Sequence, residues 1–114
     1  MKISTYSTAW NICRLAFDFK TALDNWATFA DEIVIAVGTS TDDTFNALNF
    51  YAMEQNYPVR LIRTAYDFET DPYAYGKTEN AALQGCSGDL LIQQNLDEVM
   101  LVTKEKLHEL KWQL

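Results

Sequence analysis

The residues best suited to binding chemistry lie near the end of the chain, in the run Asn95-Leu96-Asp97-Glu98. The run follows an apolar segment that is typical of a strand, so its side chains would project from the end of that strand. Their amide and carboxylate oxygens are ligands that hard cations such as Mg²⁺ prefer. The same residue types also end strands and begin turns without binding anything. Both interpretations stay open on this spacing alone.

Three other side chains could bind a ligand. Tyr6 could stack on a planar ring and Thr5 could donate a hydrogen bond to it, but an aromatic residue near a strand end is as often part of the core. Lys77 stands at the expected start of a helix, where backbone amides also favour an anion. A single lysine in that position is more commonly just solvated.

The composition of the chain limits the classes of molecule that it could bind. The chain has 114 residues, with 16 Asp and Glu against 9 Lys and Arg and a net charge of −7. This acidity argues against nucleic acid or an anionic membrane surface as the partner, because both require a basic face. Without a membrane-spanning run or a signal-peptide pattern, we expect one cytoplasmic domain over residues 1–114, with Cys13 and Cys86 as buried free thiols.

Hydrophobic patterns alternate along the chain. The expected strands are 2–6, 32–37, 59–63 and 89–94, and the expected helices are 12–26, 42–56 (capped by Thr41), 77–86 and 103–112. This order predicts a three-layer α/β fold, with a mostly parallel sheet of about four strands and helices on both faces. The carboxyl ends of the strands then share one edge, where ligands bind in such sheets. The long connection 65–76, acidic and aromatic, could cover that edge as a lid or be mobile surface.

Four segments, in order along the chain, resemble the nucleotide-binding half of family-2 glycosyltransferases with the GT-A fold. Ser4-Thr5-Tyr6 is similar to the step from the family's first strand, and IVIAVGTSTDDT (33–44) to its second strand and Ser-Thr-Asp-x-Thr turn. GKTENAAL (76–83) is similar to a helix start in the family, and GDLLIQQNLDEV (88–99) to its Gly-Asp, strand and Asp-x-Asp-Glu-Val sequence. The resemblance covers essentially the whole chain.

The resemblance implies a Rossmann-like half domain that binds a nucleotide-diphospho-sugar with Mg²⁺ or Mn²⁺ for sugar (hexosyl) transfer. It assigns nucleotide-sugar binding to Ser4, Thr5, Tyr6, Val37, Gly38, Lys77 and Asn80, and metal binding to Asn95 and Asp97. Two positions depart from the family: Asn95 replaces an acid, and Val37-Gly38 stands where an acid contacts the base or ribose. The family's acceptor side and catalytic base follow the Asp-x-Asp region, and no residue here is assigned to that role.

Two rival hypotheses remain. One is an inactive interaction module that retains the glycosyltransferase fold. The other is a flavodoxin- or receiver-like domain, which would want an acidic cluster where Ser4-Thr5-Tyr6 offers none. We also expect the apolar closing helix to pack on this domain, on a partner chain or on a second copy, through Leu107, Leu110, Trp112 and Leu114.

Overall fold

The structure is a computed structural model that describes residues 1–110. Strands and helices alternate as the sequence predicts. In chain order they are β1 (Ile3–Ala9), α1 (Phe19–Trp26), β2 (Glu32–Val37), α2 (Thr44–Gln55), β3 (Val59–Arg63), α3 (Ala74–Gln84), β4 (Leu90–Gln93) and α4 (Lys104–Leu110).

The four strands form one parallel sheet in the order β3-β2-β1-β4. The predicted α/β class with a parallel sheet is therefore confirmed. The chain first moves outward from β1 to β2 and β3, and then returns to place β4 on the other side of β1. The strand order thus changes direction between β1 and β4, and the carboxyl ends of these two strands are where an open sheet usually binds its ligand.

Helices cover both faces of the sheet. Ile33, Ile35 and Val37 of β2 pack into the main core with α1, α2 and α4, while Val34 and Ala36 pack on the opposite face against α3. The unbroken apolar run of β2 follows from this double burial, because a strand covered on both faces needs no polar alternation. Leu107 of α4 is buried in the main core, so this part of the closing helix packs on the domain itself. Trp112 and Leu114 lie outside the described residues, as does the side chain of Leu110.

The predicted boundary between the first strand and the first helix is wrong. The first strand continues three residues beyond Tyr6, to Ala9, and the first helix begins at Phe19 rather than at Ile12. Between them, Asn11 and Ala16 adopt positive φ values of 47° and 57°. A left-handed residue interrupts a right-handed helix, so residues 10–17 form turns instead. Asp18 caps α1 by accepting a hydrogen bond from the amide of Thr21.

Two further helix starts differ from the prediction. The second helix begins at Thr44, because Asp42 accepts hydrogen bonds from the Thr44 amide and hydroxyl and keeps Thr41 outside the helix. The third helix begins at Ala74, three residues before Lys77, so Lys77 lies at the end of the first turn. Both cysteines are free, and Cys13 is exposed rather than buried. Within residues 1–110, no helix combines the length and the apolar character that crossing a membrane requires.

Candidate active site

The two ends of the sheet are built differently. Two of the predicted site residues lie near its amino end, and a third lies in the middle of β1. Ser4 and Thr5 are fully buried near the amino end of β1. Tyr6 is in the middle of the strand, about 10 Å before Ala9 at the rise of an extended chain, and packs under α3. Its pKa is raised by burial and then by nearby Glu79. The structure does not bring these three residues to the carboxyl edge.

Ser4 instead helps to close the amino end of the sheet. Its hydroxyl donates to Glu32 over 2.6 Å and accepts from the amide of Gly88 over 2.8 Å. Glu32 also accepts from the amide and hydroxyl of Ser87, and Lys2 lies 3.6 Å away. Burial alone would raise the pKa of Glu32, but these hydrogen bonds and the lysine charge outweigh it and lower the pKa to about 2. This cluster ties β1, β2 and the start of β4 together.

A cavity of about 310 Å³ opens at the carboxyl end, where the strand order changes direction between β1 and β4. Thr8, Asn95 and Asp97 supply its polar groups. The rest of the lining is apolar or aromatic: Trp10, Ile12, Leu15, Phe17, Phe68, Tyr75 and Leu96. A concave apolar site with a few convergent polar groups is what small-molecule pockets generally look like. The structure thus brings Asn95 and Asp97 together, as predicted. The aromatic residue that faces the same cavity directly after β1 is Trp10.

The carboxyl-edge turn that carries Asn95 and Asp97 is held from beneath by the end of α1. The indole nitrogen of Trp26, fully buried, donates to the carbonyl oxygen of Glu98 over 3.1 Å. The side-chain amide of Asn25 bonds both the amide and the carbonyl of Met100, at 2.7 and 3.0 Å. Within the turn, the amide of Asn95 donates to the carboxylate of Glu98 over 2.9 Å. Glu98 therefore shapes the turn rather than facing a ligand.

A loop crosses the carboxyl edge above β2. The ring of Phe68 stacks on Trp10, with centroids 5.3 Å apart and planes inclined by 8°. The same ring lies against Gly38, where a Cβ atom would come within 2.6 Å of Phe68. A larger residue at position 38 would therefore push the Phe68 ring away from its present position. Val37 and Gly38 line a second, more polar cavity of about 250 Å³, together with Arg63 and Thr64.

The fold of this chain matches those of solved glycosyltransferase structures. TarS 1–349 from S. aureus, a glycosyltransferase, matches with a TM-score of 0.68 at 22% identity over 98% of this chain and 32% of that one. The mannosyltransferase PcManGT from Pyrobaculum calidifontis matches with a TM-score of 0.70 at 19% identity, over 97% of this chain and 32% of that one. The chain has the GT-A glycosyltransferase fold. It spans about a third of the length of these matched chains.

The matched structures include complexes with nucleotides. TarS 1–349 was solved in complex with UDP and with UDP-GlcNAc, and PcManGT in complex with GDP-Man and Mn²⁺. No protein-family model and no curated protein matches the sequence. The likeness therefore lies in the fold.

The residues at the glycosyltransferase-like edge fit a metal ion only in part. Asp97 is exposed, and the side-chain oxygen of Asn95 already accepts from the Gln93 amide at 3.1 Å and from the Tyr75 hydroxyl at 3.3 Å. Across the part of the chain that the structure describes, no three His, Cys, Asp or Glu side chains are grouped to hold a metal ion. One carboxylate and one amide fit Mg²⁺ or Mn²⁺ when phosphate oxygens complete the coordination, as is common for Mg²⁺ sites.

Lys77, a cation near the carboxyl edge, is already paired with an acid. Lys77 lies 2.8 Å from Asp71, and this hydrogen bond raises the pKa of Lys77 and lowers that of Asp71. Asn80 lies with Lys77 along a third cavity of about 560 Å³, on the outer side of α3. Tyr75 lines both this cavity and the one between β1 and β4. Tyr75 therefore stands between the first cavity and the third, which Lys77 lines.

Sequence reasoning missed Trp10, Arg14 and Phe68. The signal that could have found Trp10 is the unbroken run of small and β-branched residues from Ser7 to Ala9, which extends the strand and moves its end to Trp10. Asn11 is a second signal, since Asn is enriched at positive φ. Its buried side-chain oxygen accepts from the amide of Thr41 over 2.8 Å and so joins the ends of β1 and β2. No local signal places Phe68, which reaches Trp10 only through tertiary folding.

Proposed function

We propose that the chain binds a nucleotide-diphospho-sugar in the cavity between the carboxyl ends of β1 and β4, as the donor-binding part of a glycosyltransferase. The observation that carries the proposal is the position and lining of this cavity. It lies where the strand order changes direction, with Trp10 on the β1 side and Asn95 and Asp97 on the β4 side. Matched structures with UDP, UDP-GlcNAc and GDP-Man support the same ligand class.

Each part of the donor has a proposed partner. Trp10 offers an aromatic face for the base, and stacking of a base on such a face contributes about 1 to 3 kcal/mol. Gly38 allows close approach to the end of β2, beside Val37. Lys77 and Asn80 line the neighbouring cavity, on the side where a sugar or phosphate would leave the first one. Ser4, Thr5 and Tyr6 have no place in this proposal, because they lie away from the edge.

Asn95 and Asp97 are the residues that would hold Mg²⁺ or Mn²⁺. A bound ion would stabilise the negative charge that develops on the departing nucleotide diphosphate. Because the protein contributes only one charge, we expect the ion to bind together with the nucleotide rather than before it. Trp26 and Asn25 hold the backbone of the turn that carries both residues, without the help of an ion.

Isothermal titration calorimetry tests the proposal. UDP and GDP are titrated into the protein with Mn²⁺ or with EDTA, and Mn²⁺ is also titrated alone. We expect binding of at least one nucleotide, tightened about tenfold or more by Mn²⁺, and no binding of Mn²⁺ alone. Asp97→Asn should remove the Mn²⁺ effect, while the matched control Glu105→Gln on α4 should not. Absence of heat with both nucleotides under all conditions would overturn the proposal.

A second candidate function is a non-catalytic interaction module with the same fold. Two observations favour it: Asn95 supplies an uncharged ligand, and Lys77 is already neutralised by Asp71 at 2.8 Å. This candidate predicts no nucleotide binding, and it predicts the same thermal stability for Asp97→Ala with and without Mn²⁺ and UDP. The calorimetric titration therefore separates the two functions.

A further inference from the structure

We propose that the loop dipeptide Phe68-Glu69 is an internal stand-in for a ligand that carries a planar ring next to a negative charge. Such a ligand would have to displace the dipeptide from Trp10 and Arg14. The inference rests on the proposed function for the identification of that ligand as a nucleotide. The internal contact itself is visible in the structure without a ligand.

Phe68 provides the ring of the stand-in. It lies nearly parallel to Trp10, with centroids 5.3 Å apart, which is the arrangement that a stacked planar ligand would adopt. Tyr75 meets the edge of the same ring at 6.2 Å, and Gly38 provides the space beneath it. Phe68 therefore covers the aromatic face of Trp10 that borders the cavity between β1 and β4.

Glu69 provides the charge. The guanidinium of Arg14 lies 5.5 Å from the ring centroid of Trp10, and its Nη2 atom is 3.7 Å from a carboxylate oxygen of Glu69. An aromatic face and a cation thus lie side by side on the segment that follows β1. Two consecutive loop residues occupy both. A ring joined to an anion is the outline of a nucleotide, so one such ligand could replace both contacts at once.

The loop is anchored on either side of this dipeptide and forms a local turn at it. Before the dipeptide, the carbonyl of Tyr66 accepts from the Thr39 amide over 3.0 Å. After it, Asp71 pairs with Lys77 over 2.8 Å. Between these anchors, the Asp67 carboxylate accepts from the Glu69 amide over 2.9 Å. The turn is held to Arg14 by an ion pair that is about half exposed on both sides, and such pairs contribute little, so a ligand that replaces the Phe68 stack and this pair would move the turn outward as a unit.

This arrangement predicts a definite competition. A ligand that binds only the open form loses affinity by the fraction of molecules that are open. For one aromatic stack and one exposed ion pair, we expect a loss of about tenfold. A lid that closes over its ligand would behave in the opposite way, because ligand binding would order the loop further. The direction of change in the loop therefore separates a stand-in from a closing lid.

The test combines amide hydrogen exchange with calorimetry on the full chain. Exchange of residues 67–71 is measured with and without UDP plus Mn²⁺, with uridine as a ring without the charge and with pyrophosphate as a charge without the ring. UDP affinity is measured for Phe68→Ala, Glu69→Gln and the double variant. Glu54→Gln on α2 controls for loss of one acid, and Tyr73→Phe controls for a change in the same loop away from Trp10.

UDP should speed exchange in residues 67–71, and uridine or pyrophosphate should do so less. Each single variant should bind UDP several-fold more tightly and the double variant about tenfold, with changes below twofold in both controls. Slower loop exchange with UDP, or weaker binding by Glu69→Gln, would overturn the proposal in favour of a closing lid. If neither UDP nor GDP binds to any variant, the proposed function fails. The stand-in is then tested by comparing loop exchange of Glu69→Gln with that of the natural protein, both without ligand. Exchange should be several-fold faster in Glu69→Gln, and unchanged exchange would overturn the stand-in.

Discussion

Replacement of Glu32 by glutamine tests how the amino end of the sheet is held together. The change keeps the shape of the side chain and removes its charge. In the folded protein, the carboxylate of Glu32 accepts from Ser4 and Ser87 and lies 3.6 Å from Lys2. It is the acceptor through which the ends of β1 and β2 and the segment before β4 are joined. We therefore expect Glu32→Gln to lower the free energy of unfolding at neutral pH.

The magnitude follows from the pKa of Glu32, which falls from an ordinary value of 4.5 to about 2. At about 1.4 kcal/mol for each pKa unit, the ionised form contributes about 3 kcal/mol to folding. The side chain of Glu32 is only 18% exposed, so solvent screens this contribution little. Glutamine can still accept one of the hydrogen bonds, and we expect a loss of about 2 to 3 kcal/mol at pH 7.

The pH dependence has a definite direction. Because the folded pKa is lowered, the unfolded chain takes up a proton first as the pH falls. The contribution of Glu32 is present in full above about pH 4.5 and is lost as the pH falls towards 2. The difference in stability between the natural protein and Glu32→Gln should therefore shrink over this range. Acids with other lowered pKa values, such as Asp31 and Asp42, affect both proteins and cancel in the difference.

Urea unfolding followed by circular dichroism gives the free energies, at pH 7 and at steps between pH 5 and 2.5. The matched control is Glu109→Gln, whose carboxylate is 61% exposed and pairs with Lys106 at 3.4 Å. Such a surface pair contributes below about 1 kcal/mol, so the control should change little. A loss for Glu32→Gln no larger than that of the control would refute the reasoning. A difference that stays constant down to pH 2.5 would refute it too.

Two other substitutions test contacts of α1. Trp26→Phe removes the hydrogen bond to the Glu98 carbonyl, and we expect a loss of about 1 to 3 kcal/mol in urea unfolding, together with weaker Mn²⁺-dependent UDP binding in calorimetry. Equal UDP affinity would show that the turn at Asn95 does not depend on Trp26. In the natural protein, the carboxylate of Asp24 accepts from the Tyr51 and Tyr57 hydroxyls and raises the pKa of Tyr51 to about 12. Asp24→Asn removes the negative charge of this acceptor. Alkaline absorbance titration should then show Tyr51 ionising nearer its ordinary value of 10, and an unchanged titration curve would contradict this.

The fold was predictable from the sequence because hydrophobic periodicity reports burial directly. The apolar run of β2 predicts a strand covered on both faces, and the sheet shows it. The bounds of helices and strands were harder to predict, because they depend on single residues. The apolar stripe from Ile12 to Trp26 fits a helix. However, the positive φ values at Asn11 and Ala16 prevent a helix in the first half of this segment.

The lining of the candidate site could be predicted where it directly follows a strand, but not where it depends on tertiary contact. Asn95 and Asp97 follow β4 directly, and the structure places them in the cavity. Tyr6 was misplaced because the strand was taken to end three residues too early. Phe68 could not be assigned from its neighbours in sequence, since its stacking partner is 58 positions away.

The position of β4 has a consequence for how the molecule assembles. β4 pairs directly with β1, so Ile3 meets Leu90 across almost the whole length of the chain. Contacts between such distant segments require a large loop to close and therefore form slowly in folding. The cavity lies between β1 and β4, and two of its three polar residues, Asn95 and Asp97, follow β4. During synthesis, β1, β2 and β3 can pair while the cavity has only one wall, so the proposed ligand could bind only after the last strand has docked.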